Sequence, residues 1–139
     1  MWKYYAILAA IFAAMTASLA KVGLKGLNSN LATAIRTLVI LLLTWGIVLF
    51  SGKAEYFKAL NTKNLLFLIA SGIASGLSWL FYFKALQEGD VSKVAPIDKL
   101  SIVLTALFGI IFLQEKLSWQ LAAGIGCITL GTLFILWSK

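Results

Sequence analysis

Five long apolar blocks, separated by short polar stretches, constrain this chain more than any other feature. They cover residues of about 4–22, 31–50, 65–86, 93–113 and 119–137. Each approaches the roughly 20 residues that an α-helix needs to cross about 30 Å of hydrocarbon at 1.5 Å per residue. Composition agrees: 61% of the residues are hydrophobic and 12% are charged, whereas soluble domains average about 45–50% and about 25%. The expected fold class is an all-α integral membrane protein, a five-transmembrane-helix bundle forming a single domain over residues 1–139. Its first partner is the lipid bilayer.

The formal net charge is +7, a balance that in a soluble protein points to nucleic acid. Here the lysines sit at the ends of the blocks, with no polar domain to present them, so they read as headgroup anchors and no nucleic-acid partner is expected. Cys127 is the only cysteine, and histidine is absent. That removes a disulfide framework, a paired metal site and the commonest catalytic base. No nucleophile–base constellation stands in for them, so neither an enzyme nor a cofactor or metal is expected.

In the first block Ala6, Ala10, Ala13, Ala17 and Ala20 put small side chains on one helical face, which lets membrane helices approach closely. Lys3 and the Ser18-Leu19-Ala20 stretch also fit a signal peptide, the competing reading of this block. Arg36 lies about one and a half turns into the second block. It either snorkels to the interface or turns inward to a carboxylate or an anionic solute group. Between the second and third blocks, Tyr56, Phe57 and Leu60 fit a short surface helix.

The third block carries Ser71, Ser75, Ser78 and Tyr82 on one face, with Gly72, Gly76 and Trp79 on the strip beside it. Gly72 and Gly76 form a small-xxx-small packing pair. The fourth block is expected to be one helix capped by Ser92, with Pro96 in its first turn and no kink. Asp98, Ser101, Thr105 and Gly109 form its polar stripe. Lys99 points about 100° away from Asp98 in a regular helix, so Asp98 needs another partner, and Arg36 is the expected one. The fifth block places Gln120, Gly124, Cys127 and Gly131 on one face, read as helix packing, between Trp119 and Trp137 at the two interfaces.

Five crossings put Lys3, Lys53, Lys58, Lys63 and Lys116 on one side and Lys21, Lys25, Lys84, Lys93 and Lys139 on the other, with Arg36 and Lys99 inside helices near the second side. An excess of Lys and Arg in the cytoplasmic loops normally sets orientation. That bias is nearly absent here, which permits insertion both ways up, and two opposed copies would form an inverted pair.

The stretch Ala85-Leu86-Gln87-Glu88-Gly89-Asp90-Val91-Ser92-Lys93-Val94-Ala95-Pro96 resembles the helix–loop–helix of the EamA family, in the drug/metabolite transporter superfamily. Phe112-Leu113-Gln114-Glu115-Lys116-Leu117-Ser118-Trp119-Gln120 does too, as does the final helix ending Leu130-Gly131-Thr132. Ala20-Lys21-Val22-Gly23-Leu24 and Ala34-Ile35-Arg36-Thr37-Leu38 fit more loosely. Typical members carry two such five-helix units as inverted repeats around a central solute path, and this sequence resembles one unit. The resemblance therefore implies one half of an inverted-repeat transporter, completed by a homodimer.

The step from Gly124 to Gly131 is also similar to the glycine heptad by which small multidrug resistance proteins dimerise. Those proteins use a membrane-embedded glutamate in their first helix, and the first block here has no acid. The resulting expectation is a small-solute transporter of the cell membrane, working by alternating access as an antiparallel homodimer. Its path would be lined by Arg36, Ser75, Ser78, Trp79, Tyr82, Asp98, Ser101 and Thr105, with Gly72, Gly76, Gly124 and Gly131 packing helices or the dimer. The alternative is a non-transporting scaffold or accessory subunit of a larger transporter or lipid-handling complex.

Overall fold

A computed structural model describes residues 1–52 and 60–137. Among these residues the chain is helical and contains no strand. Helix α1 spans Trp2–Gly23, α2 Ser29–Phe50, α3 Thr62–Glu88, α4 Val91–Asp98, α5 Ser101–Phe112 and α6 Trp119–Trp137. Five stretches are long and apolar enough to cross a membrane, with α4 and α5 together making the fourth. Among the apolar residues described, only Ala17, Leu24, Phe83 and Leu86 are buried, while side chains such as Leu42, Phe67 and Phe134 stand open. In water that surface would be an aggregation liability; in a bilayer it is the solvated one. The expected surface helix through Tyr56 and Phe57 lies outside the described residues.

The chain divides into two compact units, one made of Ser18–Glu88 and the other of Met1–Ala17 with Gly89–Lys139. In the first unit, the last turns of α1 run without interruption past Ser18-Leu19-Ala20. A tight turn follows, in which Gly26 takes φ +75°, a conformation that costs glycine little. Asn28 then caps α2, its side-chain oxygen accepting from the Asn30 N–H at 2.9 Å. This satisfies one of the orphan donors at a helix start. The main packing of the unit is α2 against α3.

In the second unit α6 packs on α4 and, over a smaller area, on α5. The fourth span departs from the sequence expectation. Its helix starts at Val91 after Asp90, whose carbonyl accepts from the N–H groups of Lys93 and Val94 at 3.0 and 2.9 Å. Ser92 is therefore inside the helix and does not cap it, and Pro96 falls beyond the first turn, where its missing N–H removes a helical bond.

The helix ends two residues later, at Asp98. Lys99 and Leu100 donate to the carbonyls of Pro96 and Ile97, and Ile102 and Val103 to those of Lys99 and Leu100, all at 3.0–3.1 Å. These bonds span three residues where a regular helix spans four, so the span is broken between Asp98 and Ser101. The Thr132 hydroxyl of α6 reaches the Pro96 carbonyl over 3.4 Å and the Ile128 carbonyl at 2.8 Å.

Beyond α5, Gln114 adopts φ +55° and the chain folds back so that the Glu115 N–H donates to the Gly109 carbonyl at 3.1 Å. A Cβ on Gly109 would lie 2.8 Å from Glu115 Oε2. Gly109 thus belongs to a turn contact at the end of α5, a role its place in the polar stripe did not suggest. Ser118 caps α6 through its Oγ, which accepts from the Leu121 N–H at 3.2 Å.

Candidate functional site

The most organised polar site lies between α2 and α3. Ser29, Thr33 and Arg36 recur at steps of four and three, so they share the α2 face that turns toward α3. Ser29 and Thr33 are buried, and the Thr33 hydroxyl is satisfied by the Ser29 carbonyl at 2.8 Å. Trp79, Phe83 and Leu86 follow the same spacing on α3, with Phe83 and Leu86 buried. Packing these faces together brings the Arg36 guanidinium over the Trp79 ring, 4.0 Å from its centroid, with the Phe83 centroid at 5.2 Å. Tyr82 meets Phe83 edge to face, with centroids 6.4 Å apart.

A cation over an aromatic face is attracted by the ring quadrupole, by about 2 kcal/mol or more where water is excluded. That contact uses the flat face of the guanidinium and leaves its N–H edges, which lie in the plane, available. Among the described residues, neither an ion pair nor a hydrogen bond occupies them. Arg36 is the eighth residue of α2, about 10 Å of helix from its start.

Nearer that end, Lys21, Leu24, Lys25, Leu86 and Gln87 line a small open pocket. Lys21 Nζ donates to the Leu86 carbonyl at 2.6 Å, and Gln87 Nε2 donates to the Leu27 carbonyl at 2.8 Å. The last four carbonyls of a helix have no partner within it, and a cation there also meets the negative end of the macrodipole. Lys21 is therefore a cap on α3, half-buried, where the sequence alone suggested only a headgroup anchor.

Asp98 takes a different partner from the one expected. Its Oδ2 pairs with Lys99 Nζ at 3.2 Å. Lys99 and Leu100 remain in the αR region, where neighbouring side chains still leave the backbone about 100–120° apart, so it is the length and reach of the lysine side chain that brings its Nζ back to Asp98. Arg36 has aromatic rings where a carboxylate was expected. Ser75, Ser78, Ser101 and Thr105 are exposed, whereas Trp79, Tyr82 and Asp98 are half-buried. At Gly72, Gly76, Gly124 and Gly131 a Cβ would meet no described atom within 4 Å. Sequence reasoning missed Phe83 and Lys21 as members of the site. The Trp79–Phe83–Leu86 spacing was the signal that could have found the first; nothing local marked the second.

Among the described residues, no group of three or more metal-ligating side chains comes together. Five stretches of membrane-spanning length define a multi-pass membrane protein. The chain belongs to the EamA-like transporter family, whose model matches residues 1–137. It is similar to an uncharacterized transporter encoded in the cobO 3' region of Sinorhizobium sp, with 47% identity over 134 residues, covering 96% of this chain and 95% of that one. It is also similar to an uncharacterized transporter of Archaeoglobus fulgidus, with 33% identity over 128 residues. That match covers 91% of this chain and 45% of the relative. No solved structure matches the chain. The family and these relatives point to a membrane transporter rather than an enzyme.

Proposed function

We propose that two copies of this chain, inserted in opposite orientations, form one cell-membrane transporter that moves a small solute by alternating access. The observation that carries this reading is a contrast between relatives. The same stretch covers 95% of the Sinorhizobium relative and 45% of the Archaeoglobus one, as a single repeat would against a one-unit protein and a protein built of two. Inverted repeats around a site near the bilayer midplane are a recurrent transporter plan, and two opposed copies of one unit reproduce it. The loop and terminal lysines, five on each side, support the same reading, because they favour neither orientation strongly. Gly72, Gly76, Gly124 and Gly131 have open space where a partner helix could approach.

In this reading each copy acts as one domain. Arg36, Trp79 and Tyr82 contact the solute, and the exposed Ser75, Ser78, Ser101 and Thr105 line its way. Asp98 exchanges partners or a proton as the path opens. Topology is the test. Single cysteines at Lys3 and Lys139, in a Cys127→Ala background, are labelled with an impermeant reagent on intact cells. The expected result is that each end labels in about half of the molecules. Complete labelling of one end with none at the other overturns the inverted homodimer and favours an accessory subunit.

A further inference from the structure

Three features of the Ser18–Glu88 unit converge on one ligand chemistry. The first is Arg36, whose guanidinium is held against Trp79 and Phe83 while its N–H edges carry no described acceptor. A charge set this far into a membrane helix is costly unless something pairs with it. The second is the charge balance of the unit. Among its described residues Lys21, Lys25, Arg36, Lys63 and Lys84 are set against one acid, Glu88. The third is the pocket at the near end of the same helix pair, lined by Lys21 and Lys25. Leu86 lines that pocket, and Phe83, one turn earlier on the same face of α3, touches Arg36. A positive mouth and a deeper arginine therefore lie along a single helix face.

We infer that this face binds a small organic anion, a carboxylate on a flat apolar body, with the carboxylate on the Arg36 guanidinium and the body against the Trp79–Tyr82–Phe83 wall. The inference deepens the transporter reading by naming the chemical class of its solute. A planar guanidinium matches a carboxylate in two parallel hydrogen bonds, which a point charge cannot do. Being stacked on a ring orients the fork before the ligand arrives, so less order is lost on binding. The same field disfavours cations: a positively charged drug would meet Lys21 and Lys25 first and Arg36 next. The guanidinium rests on rings of α3.

Equilibrium dialysis of radiolabelled benzoate against the purified full-length chain tests this, in maltoside micelles and in phosphatidylcholine nanodiscs. Saturable binding in both is expected, displaced by 3-phenylpropionate and by neither benzamide nor benzylamine. Arg36→Gln is expected to weaken it at least tenfold, with Arg36→Lys intermediate because the charge remains and the fork is lost. Lys25→Gln is expected to weaken it two- to threefold. Equal binding of benzamide by the unmodified chain overturns the inference even if Arg36→Gln does not fold. Unaltered benzoate binding by Arg36→Gln overturns it as well. Binding seen in micelles and abolished in nanodiscs assigns the site to a headgroup phosphate and also overturns it. The assay needs neither transport nor a dimer. A chain that binds benzoate but inserts one way up loses the inverted-dimer reading and keeps the site; the converse result separates them the other way.

Discussion

Two membrane spans carry a charged residue at the same place and treat it in opposite ways. Arg36 is the eighth residue of α2 and Asp98 the eighth of α4. Around Arg36 the helix continues regularly for another fourteen residues to Phe50, and the side chain is received by the rings of Trp79 and Phe83. At Asp98 the helix ends, and the adjacent Lys99 pairs with the carboxylate. The difference teaches that depth along a span does not decide what a charge does; what lies within its reach does. Arg36 meets the rings of a facing helix. Asp98 meets a long-chained cation next to it in sequence, and the pair stays solvated.

The comparison is most exposed at Arg36, where the tenfold or greater loss of benzoate binding in Arg36→Gln is the largest effect expected. If the arginine were neutralised as Asp98 is, that substitution would change nothing. The next effect is on the helix pair that holds Arg36. Lys21→Met removes the cation from the Leu86 carbonyl and is expected to destabilise the α2–α3 unit by about 1–2 kcal/mol. Unfolding in mixed micelles with increasing dodecyl sulfate measures it, and a midpoint equal to that of the unmodified protein would show that the cap contributes nothing.

A smaller effect is expected at the broken span. Lys99 and Asp98 side chains are 51% and 36% exposed, so their coupling belongs to the range of solvated ion pairs, below about 1 kcal/mol. A double-mutant cycle of Asp98→Asn and Lys99→Gln in the same assay reads it directly. Coupling above about 2 kcal/mol would place the pair in a drier setting and turn it into a second strong site. The smallest effect is at the turn after α5. In Gly109→Ala the new methyl meets only the far end of the Glu115 side chain, which can swing away, so a change within about 0.5 kcal/mol is expected. A larger loss would mean that the Glu115 turn holds the end of the broken span.

Much of the architecture was legible without coordinates. Runs of about 20 apolar residues leave the backbone one way to satisfy itself in hydrocarbon, so the spans and the helical class follow from composition and length. The family was legible for a related reason: the turn residues from Ala85 to Pro96 and from Phe112 to Gln120 punctuate the helices at fixed offsets. The candidate site was legible in part. Arg36, Trp79 and Tyr82 stood out because charged and aromatic residues are sparse in such runs.

Two things were beyond a linear reading. The break after Asp98 depends on where α4 starts, and the Asp90 carbonyl decided that by starting the helix before Ser92, which left Pro96 without a bond to make. The partner of Arg36 depends on which α3 side chain arrives opposite it when two helix faces pack. Sequence alone determined that this chain spans a membrane and which residues are unusual there, because those follow from each residue's own cost in hydrocarbon. Only the tertiary structure decided that Arg36 lies on aromatic rings, because a contact between helices is a property of two surfaces brought together.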